Sequence, residues 1–102
     1  MKRYYVYLLA SKKNGALYIG VTNNLIDRVC KHKNNSIDGF TKNRGIHNLV
    51  YYEEYDDIRK AIAREKQMKK WKRQWKIRLI EKSNFKWKDL HPNLCHSRGK
   101  LL

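Results

Sequence analysis

Two short runs of aromatic and branched residues, Tyr4–Leu9 and Leu17–Val21, stand either side of an Asn14-Gly15 pair. Such side chains suit a pleated, buried backbone, and Asn-Gly supplies the positive φ angles that tight turns need. Together they predict an antiparallel hairpin at the start of the chain. A third run, Leu49–Glu54, predicts a third strand. These aromatic β-runs disfavour a pure helical bundle.

Helical signals fill the intervals. Asn23 or Asn24 caps a predicted helix over 24–34, which the Asn34-Asn35 pair terminates. A loop rich in Gly, Thr, Lys and Arg follows from Ser36 to His47. Asp56 or Asp57 caps a second helix running to about Trp71, and a third helical segment covers about Arg73–Glu81. From His91 the chain is polar and irregular, and a loose tail is expected. The alternation predicts one α/β domain of α+β type over residues 1–90, with a tail over 91–102. Its expected core is a small three-stranded, mostly antiparallel sheet flanked by three or more helices.

Lys and Arg number 24 against 9 Asp and Glu, a formal net charge of +15 in 102 residues. That imbalance predicts salt-sensitive attraction to polyanions. No apolar run approaches the ~20 residues a spanning helix requires, and Tyr4–Ala10 is too short for a signal segment. An anionic-membrane binder would also need an amphipathic helix with a broad apolar face, which is missing. Nucleic acid is therefore the expected partner, and a cytoplasmic location the expected setting. Cys30 and Cys95 are too few for a disulfide framework, and with His32, His47, His91 and His96 they match no zinc spacing.

Glu65 breaks the pattern of its helix. Ile58, Ala61, Ile62, Glu65, Met68 and Lys69 fall at helical spacing, which puts a carboxylate near the middle of the inward stripe. A buried carboxylate needs a cation, a donor or a cavity beside it. Tyr7 and Tyr18 share a sheet face whenever the hairpin loop has an even number of residues. A four-residue loop would set them opposite each other; a two-residue Asn14-Gly15 turn would offset them by about 13 Å. Strand tyrosines commonly serve only packing. Arg28 and His32 stand four apart at the edge of the apolar face of the first helix, where they form either a solvated pair or a phosphate-holding, proton-transferring pair. Lys66–Lys76 interleaves six basic residues with Trp71 and Trp75. The tryptophans are expected to pack on the sheet while the basic residues meet nucleic-acid backbone.

In order along the chain, Tyr5-Val6-Tyr7, Tyr18-Ile19-Gly20, Arg28, His32 and a helical Glu65 resemble the GIY-YIG nuclease domain. The resemblance is to small stand-alone bacterial members, related to the nuclease module of the excision-repair subunit UvrC. Residues 61–73 look like that subgroup's second-helix signature and 84–90 like its closing segment, so the likeness covers about residues 3–90. It implies a phosphodiester hydrolase using one divalent cation, magnesium or manganese, and water as nucleophile. DNA, branched and single-stranded forms included, is the implied substrate and DNA repair the implied setting. By position, Tyr7 and Tyr18 match the motif tyrosines, Arg28 the phosphate-contacting arginine, His32 a His-or-Tyr position, and Glu65 the metal-binding carboxylate. Lys42, Arg44, Lys69, Lys72 and Arg73, with Arg28, are the expected nucleic-acid contacts. Two departures stand out. Tyr5 replaces the first motif glycine, and Val21 stands where repair-type modules carry a lysine, which shifts the expected base role toward His32. The competing expectation is a noncatalytic nucleic-acid-binding module on the same scaffold.

Overall fold

Strand β1 (Tyr4–Ala10) sends alternate side chains to opposite sides, and both sides are buried. It is the centre of the fold. In the computed structural model, which describes residues 2–34 and 45–92, β2 (Leu17–Thr22) and β3 (Asn48–Tyr55) flank it antiparallel, in the order β2-β1-β3. Three helices complete the described part: α1 (Leu25–Lys33), α2 (Ile58–Lys69) and α3 (Arg73–Ser83). The expected three-stranded α+β architecture is what the chain adopts.

The two sheet faces build two cores. Tyr7 and Leu9 pack with Leu25 and Val29 of α1 and with Ile46 and Leu49. Val6, Leu8 and Ala10 pack on the other side with Ala61 and Met68 of α2, Ile80 of α3 and Trp87. Each fully buried large apolar side chain contributes about 1.5–3 kcal/mol. A register shift between Leu8 and Leu9 lets Val50 and Tyr51 both join the second core while Leu49 joins the first.

The caps follow the sequence closely. Asn24 accepts from the Asp27 N–H at 3.2 Å to start α1, and Asp57 accepts from the Arg59 N–H at 2.9 Å to start α2. The hairpin register differs from both expected options. Ala10 pairs Leu17, leaving a loop of residues 11–16, so Tyr7 faces Gly20 and Tyr18 faces Leu9. The tyrosines share a face but sit diagonally. The cause is local: Asn14 does take the positive φ of 58°, yet the Ser11 N–H bonds to the Ala16 carbonyl at 3.1 Å and the Ser11 hydroxyl accepts from the Ala16 N–H, which closes the wider loop.

The closing segment is anchored. Asn84 donates through Nδ2 to the Val50 and Lys88 carbonyls at 3.0 and 2.8 Å, and Asp89 accepts from the Leu49 and His91 N–H groups and pairs with Lys33. His91, at the predicted start of the tail, is buried, and its Nε2 meets the Ile26 carbonyl at 3.1 Å. Ordered packing thus continues past residue 90. Residues 93–102, the rest of that tail, lie outside the described residues.

Candidate active site

Three rings meet beside the β1–β2 ladder. The Tyr18 and His32 centroids are 5.3 Å apart, Tyr7 and His32 6.1 Å, and Tyr7 and Tyr18 6.2 Å. The Tyr7 hydroxyl lies 3.3 Å from His32 Nε2. The register explains how Tyr7 gets there. Its ring crosses Gly20, and a Cβ on Gly20 would fall within 2.8 Å of Tyr7 Cε1 and closer still to the hydroxyl end. Real Cβ atoms do not approach that closely, so the ring position requires glycine at 20.

His32 is 1% exposed, so it is no solvated partner of Arg28. Arg28 itself is exposed one helical turn away. Burial, then the Arg28 charge and His47, lower the His32 pKa, so the ring is held neutral more firmly than a free imidazole. Burial also pushes the Tyr7 phenol strongly upward; Tyr18 adds to the rise and Arg28 opposes it. Tyr7 is therefore a hydroxyl rather than a phenolate at any ordinary pH.

Glu65 stands on α2, which packs on the opposite sheet face. Helix α2 packs on β1 and the edge strand β2 more than on β3. The Glu65 side chain is 17% exposed and holds Lys69 Nζ at 2.8 Å. The hydrogen bond to Glu65 raises the Lys69 pKa, and Tyr18 is near enough to contribute in the same direction. Two expectations need correcting here. The inward stripe of α2 is narrower than predicted: Ala61 and Met68 are buried, whereas Ile58 and Ile62 are 38% and 39% exposed. Glu65 consequently flanks the stripe instead of centring it. Its needed cation is Lys69, which the sequence had placed among the nucleic-acid contacts.

The other expected contacts divide. Lys72 is exposed at the start of α3. Arg73 spends its guanidinium on the fold, donating to the Asn14 and Gly15 carbonyls at 2.7 and 2.5 Å and so tying the hairpin turn to α3. Lys42 and Arg44 lie outside the described residues. Among the described residues, no group of three or more His, Cys, Asp or Glu is arranged to hold a metal ion. A lone, partly open carboxylate is a hard donor suited to magnesium or manganese only when water and phosphate oxygens complete the shell. The residues present fit a cation that arrives with its substrate.

One neighbour was not legible as part of this group. His47, just before β3, acts on His32, and its Nδ1 is buried with no hydrogen-bond partner among the described residues. No spacing rule links position 47 to position 32; only the sheet brings them together.

The GIY-YIG catalytic domain model matches residues 3–78. A UPF0213 protein of Clostridium perfringens is 40% identical over 82 residues, covering 80% of this chain and 87% of that protein. A UPF0213 protein of Staphylococcus saprophyticus is 36% identical over 80 residues, covering 78% and 96%. The solution structure of a UPF0213 protein from Bacillus halodurans superimposes with a TM-score of 0.51 at 28% identity, over 80% of this chain and 86% of that one. GIY-YIG domains form a nuclease superfamily that acts on nucleic acid, generally with a divalent metal. With the domain model spanning most of its length and such relatives beside it, this chain belongs to the GIY-YIG family, in its small stand-alone UPF0213 branch.

Proposed function

We propose that this protein is a divalent-metal-dependent DNA endonuclease of low sequence specificity, hydrolysing phosphodiester bonds with Tyr7, Tyr18, Arg28, His32 and Glu65. The observation that carries it is the Tyr7–His32 contact. A buried neutral imidazole 3.3 Å from a hydroxyl held in its protonated form is arranged for proton transfer, not for packing alone. With its own proton on Nδ1, His32 accepts at Nε2 from the Tyr7 hydroxyl. His32 is too buried to meet bulk water, so it takes the water's proton through Tyr7. This replaces the direct contact expected from sequence. Arg28, exposed beside the rings, faces the phosphate and offsets charge as the bond breaks. Tyr18 borders both halves of the group and positions the attacking water. Glu65 would hold the cation, which when bound polarises a phosphate oxygen and stabilises the leaving oxyanion.

A panel of duplex, branched and single-stranded DNA, incubated with magnesium, manganese or EDTA, tests this reading. Cleavage is expected with either metal and none with EDTA. Glu65→Gln should fold and bind DNA but cleave at least about 100-fold more slowly, the scale on which removal of one electrostatic stabiliser is felt. The Glu65–Lys69 pair favours one second reading, a noncatalytic DNA-binding scaffold whose carboxylate is permanently neutralised. Wild-type protein that binds DNA and cleaves none of the panel would establish that reading instead.

A further inference from the structure

The six basic residues of 66–76 surround two tryptophans that the sequence assigns to packing, and the structure separates the pair. Trp71 is partly buried against the core, and its ring lies 4.9 Å beneath the Arg64 guanidinium. Trp75 meets it edge-on, with centroids 6.1 Å apart, and is 49% exposed. The packing expectation fails for Trp75 because α3 is anchored through Ile80, with Ile77 and Leu79 partly buried beside it, which leaves Trp75 on the helix flank.

A groove of about 360 Å³ opens there, lined by Trp71, Trp75, Arg78, Leu79 and Lys82. Its floor is aromatic and its rim cationic. From 65 to 82 the chain holds only two carboxylates, and both are engaged: Glu65 with Lys69 and Glu81 with the Trp87 Nε1–H. Against them stand eight Lys and Arg in the same stretch, so the charge around the groove is net positive. A second copy of this chain would bring like charge against like, and an apolar helix would leave the rim cations unmatched. An unpaired nucleobase satisfies both parts, since its flat face stacks on indole and its flanking phosphates pair with Arg or Lys. The groove opens at the α2–α3 junction, beside the Arg64 that pairs with Glu53 of β3.

Building on the nuclease reading, we infer that the α2–α3 groove is a second nucleic-acid site, which stacks an unpaired base of the DNA strand on Trp75 while Arg78 and Lys82 hold its backbone. The site selects substrates that carry an unpaired stretch. It requires no change in the catalytic group and acts on strand capture.

Binding, measured in EDTA so that nothing is cut, tests the site apart from catalysis. The probes are an oligothymidylate of roughly 12 nucleotides and an abasic deoxyribose-phosphate strand of equal length and charge. Wild type should hold the thymidylate about 5- to 150-fold more tightly than the abasic strand, the worth of one stacked base. Trp75→Leu, which keeps apolar volume without a π face, should close that gap and leave abasic binding unchanged. Trp75→Phe should retain most of the gap. A gap that survives undiminished in Trp75→Leu overturns the proposal. So does sedimentation showing a wild-type dimer that Trp75→Leu dissociates without DNA, because a second copy would then be the occupant. Cleavage of the DNA panel is scored separately. A base-dependent gap in a protein that cleaves nothing removes the nuclease reading and keeps the site; cleavage with no gap does the reverse.

Discussion

The ring of Tyr7 occupies the volume that Gly20 leaves empty on the neighbouring strand. This one packing relationship sets where the hydroxyl meets His32, so Gly20 controls the site without contributing a side chain to it.

Gly20→Ala is therefore expected to push Tyr7 off its position, costing about 1–3 kcal/mol of stability and most of the cleavage rate. The coupling is specific to the pair. In a Tyr7→Leu background, which removes the far end of the ring, Gly20→Ala should cost markedly less. A double-mutant cycle by denaturant unfolding measures this. Additive losses would mean that the glycine acts on something other than Tyr7.

Lys69 gives a second test. Its ammonium pairs with Glu65 at 2.8 Å and so competes with any cation there. Lys69→Met should lower the magnesium concentration that gives half-maximal cleavage, and should strengthen manganese binding measured directly by titration calorimetry. If both weaken instead, Lys69 helps to build the site rather than guarding it. Salt dependence of DNA binding is cleaner at Lys72, where charge removal should lower the slope by about 1.

The pH profile reports on His32. Burial, then Arg28 and His47, lower its pKa, so the rate should rise with pH and level off below the ordinary imidazole value of about 6.5. His47→Leu removes one of these influences and should move the inflection upward. Tyr7→Phe breaks the proton path and should abolish the inflection along with most of the rate, whereas Tyr18→Phe should keep the inflection. An inflection that persists in Tyr7→Phe but vanishes in Tyr18→Phe would transfer the relay to Tyr18.

The strands and caps were legible because their signals are local: branched and aromatic runs, Asn24, and Asp57. So was the motif that links Tyr7, Tyr18, Arg28, His32 and Glu65. What the sequence withheld was relative placement. Asn14-Gly15 announces a turn but not its length, since the Ser11 contacts that widen the loop cost nothing in pattern. Helical spacing ranked Glu65 with Ile58 and Ile62, yet where α2 sits over the sheet decides which of its flanks is covered. His47 and Trp75 depend wholly on tertiary placement, one brought in and one left out.

Stability in acid should turn on Glu53. Its carboxylate is 16% exposed and receives both Arg64 Nε and Nη2, at 2.9 and 3.0 Å, and the hydroxyls of Tyr51 and Tyr55, at 2.5 and 2.6 Å. Burial pushes its pKa up, but Arg64 and the two tyrosines outweigh that and hold it below the usual carboxylate value. The unfolded chain then binds the proton at higher pH than the folded one. Stability from this group is present above the ordinary carboxylate range and is lost as pH falls through the folded value. Arg64→Met should cost about 3 kcal/mol near neutrality, because it strands a largely buried charge between β3 and α2. Glu53→Gln should flatten the acid limb of the stability curve while leaving the neutral plateau less affected than Arg64→Met does. Urea unfolding across the acid range separates the two. Equal slopes in wild type and Glu53→Gln would show that another carboxylate carries the acid sensitivity.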